Sequence, residues 1–565
     1  MNERSPRCLP LRALIGALVI IQLVAPLSFG QTSTAKPAPA LSAAEREAAS
    51  LVKAATIRDV TLALTASEMQ GRGTGQPGAD RAAKYIAERF AKLGLKPLGD
   101  QMEGKTSYLQ AIKFKAEQVQ PDATFTAGDV SFKYKDDFVV PPPLPQDDAK
   151  EGSGSLAFVG YGALSKSPDI ERNDLGDINP KGKVAVVLTG KPDNVDPAVW
   201  ARSTGQGVFV RLIGRGVAGI VVVYEAARET QPFSLVATYL SRRRVSLPGA
   251  AALPIKLPPI VLISDKTAER LFANTGESFT ELKAKAKTGA FVSRELNKSA
   301  TISLRVKREE VTSSNVVGVM EGADAALKSE AVVYSAHYDA YGIDVDGTVY
   351  PGAADNALGI GKLMAIAEAF AKAKAKPRRS IIFLAVTGEE YGLLGAEYWV
   401  KRPTWPLEKV AADINYDGIG TEVWGELHYL INYGFDHSQL GNTIADVAAA
   451  MKAEIVTDPF PDEGVFYRSD HYAFFKRGVP SLYLISGPAG DQAAIGARAM
   501  KWLVTDYHMA SDTVQKDWNW TGAEQLAVID LLAGMRVANQ DTMPAWISGS
   551  PYNRPRGTTE PPPRQ

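Results

Sequence analysis

Apolar and polar positions follow two rhythms along this chain, and the switches between them mark its elements. From Ser42 the apolar residues recur at helical spacing through Leu64, and Ser42-Ala-Ala-Glu45 has the spacing of a capping box. A second helix is predicted over 79–93, with Ala83, Tyr85, Ile86, Phe90 and Leu93 at helical spacing, ending at Gly94 with Pro97 just beyond. From Tyr108 to about Val140 the period drops to two, as in Ala123-Thr-Phe-Thr and Val130-Ser-Phe-Lys-Tyr, which predicts strands. Short β-rich runs fill 151–292: Leu156-Ala-Phe-Val, Lys183-Val-Ala-Val-Val-Leu, Gly219-Ile-Val-Val-Val and Pro259-Ile-Val-Leu-Ile, with one amphipathic segment at 208–213. Strand and helix signals then alternate. Strands are predicted at 302–306, 314–319, 332–335, 380–386, 410–415 and 427–431, and helices at 358–374, 391–400 and 440–452. That alternation argues for an α/β sheet between helices.

Composition divides the chain into an ordered body and two unusual ends. At 565 residues, 45% hydrophobic and 22% charged, it suits a globular protein of more than one domain. Residues 1–30 set Arg4, Arg7 and Arg12 before the apolar stretch from Leu14 to Leu27, with Ser28-Phe29-Gly30 as a small-x-small site. This pattern reads as a secretory signal, and the competing reading is a retained membrane anchor. The expectation is an exported protein, periplasmic or secreted, with no stable membrane association after cleavage. Residues 31–44 form an Ala/Pro/Ser/Thr linker, and the Pro/Gly/Arg-rich stretch 546–565 is expected to be disordered. The formal net charge is zero, so nothing points to a nucleic-acid partner. Cys8 is the only cysteine, which excludes a disulfide framework, a thiolate metal site and a cysteine nucleophile.

Candidate chemistry concentrates where the apolar strands end. His337-Tyr-Asp339 follows one such run, and Gly352-Ala-Ala-Asp355-Asn356 opens the next helix. Thr387-Gly-Glu389-Glu390, Asn415-Tyr-Asp417, Ser469-Asp470-His471 and Tyr507-His508 follow in order. Crevices at the carboxyl ends of strands are where α/β proteins place their sites. Of five histidines, three fall in these clusters; His428 and His437 do not and are expected to be structural or exposed. A sulfur-free set of His, Asp and Glu suits zinc, or cobalt or manganese in its place. Adjacent Glu389 and Glu390 can take different tasks, one binding metal and one moving a proton. Gly71-Arg-Gly-Thr-Gly-Gln-Pro-Gly78 resembles a phosphate loop only in its glycines, because the Lys-Ser/Thr ending and a preceding strand are absent. The 151–292 block has no histidine and is read as an interaction or lid module.

Taken in order, these motifs resemble the co-catalytic zinc aminopeptidase family, which also contains glutamate carboxypeptidases. Gly71-Arg-Gly-Thr-Gly and Leu93-Gly-Leu-Lys-Pro97 are similar to its amino-terminal signature. The resemblance covers most of 45–540, and 151–292 resembles the protease-associated domain inserted in many members. It implies a mixed eight-stranded sheet sandwiched by helices, with the peptidase domain split into 45–150 and 293–545. It further implies two zinc ions: His337, Asp355 and Asp417 would hold one, and Asp355, Glu390 and His508 the other. Glu389 would be the general base, Tyr507 the donor to the oxyanion, and Asp339 the partner of His337. A cis peptide is implied at Asp355–Asn356. His471 either lines the substrate pocket or pairs with Asp470.

The leading expectation is a metallo-aminopeptidase acting on peptides. A glutamate-releasing carboxypeptidase would want arginines around a terminal carboxylate, and Arg468 alone stands near a motif, while Asp462-Glu463 could hold an ammonium group. A single-metal glutaminyl cyclase fits less well with both His337 and Asp339 present, and a binding ectodomain that has lost its ligands conflicts with a complete set. Oligomeric state stays open.

Overall fold

Four apolar runs, Ala331–His337, Ser380–Val386, Val410–Tyr416 and Ser481–Pro488, are buried along their whole length. Strands covered on both faces read as continuous apolar stretches rather than alternating ones, and in a parallel sheet that is the expected pattern. Ala331–His337 lies at the centre, parallel to Ser380–Val386 on one side and to Val410–Tyr416 on the other. Ser481–Pro488 continues the parallel order beyond Val410–Tyr416. Antiparallel partners extend both sides: residues 316–320 beside Ser380–Val386, and Leu427–Asn432 beside Ser481–Pro488. Glu454–Thr457 then adds parallel to Leu427–Asn432. The result is a mixed sheet.

Helices cover both faces of this sheet. Ala54–Thr65, Pro77–Lys92, Leu358–Lys372 and Trp520–Asn539 bury Ile57, Ile86, Leu363 and Leu531 against Tyr334, Phe383 and Ile414. Leu394–Lys401 and His471–Phe475 pack Trp399 and Phe474, with ring centroids 5.4 Å apart, in the cluster that includes Val333, Ile382 and Leu384. Each such buried side chain contributes on the order of 1.5–3 kcal/mol relative to exposure.

The computed structural model describes residues 40–558, apart from 168–169, 206, 226–231, 250–254, 289–290, 292, 460 and 462–463. The expected signal at 1–30 and the acidic pair Asp462-Glu463 lie outside the described residues. The chain divides into two compact units. One holds the sheet just described and comprises described residues of Leu23–Lys115, Val245–Pro248 and Glu310–Gln565; the other comprises Ala116–Arg244 and Gly249–Glu309.

That second unit is wider than the 151–292 block and less purely β than its sequence suggests. Val184–Leu188, Gly219–Tyr224 and Ile260–Ser264 run parallel, joined by residues 156–158. Helices Val208–Gly214, Phe233–Ser241, Asp265–Phe272 and Phe279–Thr288 lie among them. Three of these helices escape the sequence reading because they are short, below the length at which periodicity separates helix from strand. Phe158 anchors the core by edge contacts to Phe272, Phe279 and Phe291.

Four further expectations need correction. The strands expected at 302–306 and 314–319 are one strand, Arg294–Met320. The polar residues between them looked like a break, but an extended segment can keep them exposed. The helical region from Ser42 is two helices, Ala43–Leu51 and Ala54–Thr65, although the capping box is formed in full. The helix expected from 391 begins at Leu394, because Gly392 and Leu393 take left-handed backbone angles. The stretch from Trp546 is placed as far as 558: Trp546 Nε1 donates to the Gly478 carbonyl at 3.2 Å, and Tyr552 is buried against Phe475. Two aromatic rings supply the docking energy that composition alone hid.

Candidate metal centre

The parallel strands deliver the candidate residues to one edge of the sheet. His337 is the last residue of its strand, Asp417 directly follows Val410–Tyr416, and Glu389 and Glu390 follow Ser380–Val386 across Thr387 and Gly388. The two glutamates occupy a short 3-10 turn, Glu389–Tyr391, rather than a strand end. Asn315 fixes this turn: its Oδ1 accepts from the Thr387 N–H at 3.2 Å and its Nδ2 donates to the Gly395 carbonyl at 3.0 Å. Asp355 sits in the irregular Ala353–Ala357 turn, whose Asp355–Asn356 peptide is cis. Asn356 Nδ2 donates to the Tyr416 carbonyl at 2.7 Å, tying that turn to the strand that ends before Asp417. His508 follows the helix Gln492–Thr505 and holds a left-handed backbone angle, φ 61°.

Two groups result, and Asp355 belongs to both. His337, Asp355 and Asp417 form one; Asp355, Glu390 and His508 form the other, with the candidate ligand atoms of each within 4.8 Å of one another. His337 Nε2 lies 3.1 Å from Asp355 Oδ1 and 3.3 Å from Asp417 Oδ1. His508 Nε2 lies 3.0 Å from Asp355 Oδ2 and 3.1 Å from Glu390 Oε2. Asp355 Oδ1 and Glu390 Oε2 are buried yet make no hydrogen bond. Each lies 3.1 Å from an imidazole nitrogen, and each belongs to one of the two groups whose candidate ligand atoms stand together. A buried carboxylate oxygen left in that state is costly unless a cation meets it. The residues therefore fit divalent metal, and the sulfur-free His/Asp/Glu set suits zinc.

The charge balance agrees. Burial alone would push protons off His337, yet Asp417, Glu389 and Asp355 hold its affinity for a proton well above the usual histidine range. His508 is likewise raised to about 9 against its burial, by Glu390 and Asp355. Burial works against the Asp355 carboxylate, but the two imidazoles outweigh it and hold Asp355 below the ordinary range. The site draws in positive charge, and metal would take the place of those protons.

The surrounding groups orient the histidines. His337 Nδ1 lies 3.2 Å from the backbone carbonyl of Asp339 and 3.8 Å from its carboxylate. The carbonyl is thus the partner that sets the His337 tautomer, where the sequence suggested the carboxylate. The Asp339 carboxylate instead accepts from Thr74 Oγ1 at 3.0 Å and from the Glu389 N–H at 3.2 Å, and burial raises it to about 6. It braces the glutamate turn. Tyr341 OH lies 3.3 Å from His508 Nδ1, and Tyr507 stacks on the same imidazole with centroids 3.7 Å apart.

Glu389 belongs to neither group. Its Oε2 is 3.9 Å from His337 Nε2, and burial, together with Asp417, Asp470 and Glu390, raises its proton affinity well above the usual carboxylate range. Burial and Asp355 keep the Tyr507 hydroxyl protonated. His471 is fully buried and stacks on Tyr483 at 4.8 Å, so it lines no substrate pocket. It does not pair with Asp470 either, whose two buried oxygens make no hydrogen bond. Its Ser-Asp-His motif placed it beside chemistry, but its neighbours are the rings of half-buried Phe466 and buried Phe475. His437 sits among aromatic rings, centroid 5.0 Å from Tyr552. Sequence reasoning missed Tyr341, Thr74 and Arg72. Arg72 and Thr74 stand inside the glycine-rich motif and Tyr341 two residues beyond Asp339, but nothing in their spacing says what they touch.

The chain is similar to known proteins in sequence and in fold. Residues 315–532 match the family model for Peptidase family M28. The chain is 28% identical over 230 residues to Leucine aminopeptidase 2 of Arthroderma otae, a match spanning 38% of this chain and 43% of that relative. The chain thus spans less than half the length of the curated relatives it matches. An aminopeptidase from Aneurinibacillus sp. strain AM-1 superposes with a TM-score of 0.54 at 16% identity, covering 88% of this chain and 97% of that one. A zinc aminopeptidase from Bacillus subtilis gives 0.53 at 16% identity, covering 87% and 96%. At these identities the likeness to solved structures is one of fold. Motif order and family match coincide over one segment: residues 315–532, which hold the candidate metal centre, are similar to peptidase family M28.

Proposed function

We propose that this protein is an exported metallo-aminopeptidase that binds two zinc ions and removes amino-terminal residues from peptides. One observation carries the reading: the two oxygens of Asp355 each lie beside a different histidine, at 3.1 and 3.0 Å, with a further carboxylate completing each group. His337, Asp355 and Asp417 would hold one ion, and Asp355, Glu390 and His508 the other. When bound, such a pair polarises a carbonyl and lowers the pKa of water. Glu389 takes a proton from the attacking water and returns it to the leaving amine, a task its raised proton affinity suits. Tyr507 donates to the developing oxyanion. The Asp339 carbonyl and Tyr341 orient the two histidines, and the Asp339 carboxylate holds the Glu389 turn. The basic-then-apolar pattern of residues 1–30 supports export. Among the described residues no helix is long and apolar enough to cross a membrane. The unit around 151–292 is read as a protease-associated domain that covers no chemistry of its own.

The test is a mixed peptide library incubated with zinc-loaded protein and read by mass spectrometry. Loss of single amino-terminal residues, abolished by chelator and by N-acetylation, is expected. Trimming from the carboxyl end would move the protein to the carboxypeptidase side of the resemblance. Cyclisation of amino-terminal glutamine without peptide cleavage would instead indicate the cyclase.

A further inference from the structure

The glycine-rich loop at 71–78 buries an arginine beside the candidate metal centre. Gln70, Gly71 and Arg72 all hold left-handed backbone angles, φ 50°, 66° and 53°. This bends the chain so that the Arg72 side chain, with no exposed surface, enters the protein. Its hydrogen bonds all go to main-chain carbonyls. Nε donates to Tyr338 O at 2.6 Å, Nη1 to Leu64 O at 2.8 Å and Pro351 O at 2.6 Å, and Nη2 to Gly352 O at 2.7 Å. Tyr338 follows His337, and Gly352 opens the turn that carries Asp355. Only glycine fits at 352: its φ is 57°, and a Cβ there would lie 2.5 Å from the Asp355 carbonyl oxygen and 3.0 Å from Arg72 Nη2.

The N–H groups of the same turn go to Asp512. Its Oδ1 accepts from Ala354 N at 2.9 Å, its Oδ2 from Asp355 N at 3.1 Å, and its carbonyl from Ala353 N at 3.2 Å. Asp512 is itself buried and stands four residues beyond His508. Arginine therefore takes the carbonyls where the turn begins, at Pro351 and Gly352, and aspartate the N–H groups of Ala353, Ala354 and Asp355. Through Tyr338 and the 508–512 segment, the pair also ties the turn to both candidate histidines.

We propose that Arg72 and Asp512 are positioning residues that clamp the Gly352–Asp355 turn, fixing where the shared carboxylate stands between the two metal sites. This rests on the two-metal reading above. Neither residue touches substrate or metal. Lysine cannot replace the planar fork that reaches four carbonyls, and asparagine at 512 would point an NH2 group at a backbone N–H.

The experiment compares wild type, Arg72→Lys and Asp512→Asn after chelation and dialysis. Metal content is measured at fixed free zinc, the cobalt-loaded forms are followed by visible absorption, and circular dichroism reports the fold. Both variants are expected to fold, to bind metal about 10–100-fold more weakly, and to show an altered cobalt spectrum at saturation. A merely structural residue would lower the melting temperature and leave that spectrum unchanged. Wild-type affinity and spectrum in both variants would overturn the proposal. So would two variants that stay unfolded at saturating metal, since the clamp would then be a prop of the fold. A wild type that binds no metal would instead sink the two-metal reading itself.

Discussion

Glu389 and Glu390 are neighbours in sequence with separate positions in the site, and that separation can be tested one residue at a time. Only Glu390 Oε2 meets His508, while Glu389 stands off both groups. Glu389→Gln keeps the size of the side chain and its backbone bond to Asp339 but cannot take a proton. It is expected to retain full metal content while turnover falls about 10²–10⁴-fold. Near-normal turnover would remove Glu389 from its role. His508→Ala should behave in the opposite way, with metal analysis showing one ion lost; two ions retained at low free zinc would strike it from the ligand set. At this scale much of the site was legible, because a ligating histidine or carboxylate is the same chemical group wherever it stands in a chain. His337, Asp355, Glu390, Asp417 and His508 meet where their motifs suggested. His471 failed because a motif names a residue without saying which way it points. Arg72 was passed over for a related reason: its partners are carbonyls at Leu64, Tyr338, Pro351 and Gly352, and backbone acceptors leave no mark in a sequence.

Among the elements, the strand Val410–Tyr416 carries a second buried acid behind the site. Asp413 is fully buried, and burial raises it to about 8, with Ser335 and Ser481 only partly offsetting the shift. Ser335 Oγ lies 2.7 Å from Asp413 Oδ1 and 3.0 Å from Asn415 Oδ1, so its one proton cannot serve both. A protonated Asp413 resolves this by donating to Ser335, which then donates to Asn415. The unfolded chain releases that proton near pH 4, whereas the folded protein keeps it to about pH 8. Between those values the folded state binds more protons, so this group makes stability fall as pH rises. Asp413→Asn removes the dependence. Urea midpoints of the two proteins should nearly coincide at pH 4 and diverge in favour of the variant towards pH 8, by at most about 1.4 kcal/mol per pH unit. Parallel profiles would mean that Asp413 is ionised in the fold. Element existence was read well from buried apolar runs such as 380–386, where burial and β-preference coincide. Boundaries were read poorly at 391–394 and 307–313. There, left-handed backbone angles and an exposed extended segment decide the outcome, and neither has a hydrophobic signature.

For the whole molecule, the site concentrates negative charge at the end of a sheet that otherwise buries apolar groups. Asp355, Glu389, Glu390 and Asp417 surround two imidazoles, while Asp339, Asp470 and Asp512 lie buried close by. Without metal, the fold can hold such a cluster only by keeping protons on it. The proton affinity of His337 is raised well above the histidine range, His508 reaches about 9, and burial lifts Asp512 to about 7. Metal that binds the folded state and not the unfolded chain adds stability by mass action, about 4 kcal/mol when free ion exceeds its dissociation constant a thousandfold. The cluster joins strand ends at 337 and 417 to the turns at 355 and 389–390 and to the segment at 508, so that energy spreads across the sheet and its turns rather than staying local. Chelated protein should therefore melt several degrees lower than zinc-loaded protein at pH 8. The gap should narrow towards pH 6, as protons compete for the same nitrogens and oxygens and weaken metal binding. Scanning calorimetry of both forms at the two pH values measures it. A gap that is absent at pH 8, in protein shown to have lost its metal, would mean that the cluster tolerates its own charge, and the case for a metal centre built into the fold would fall.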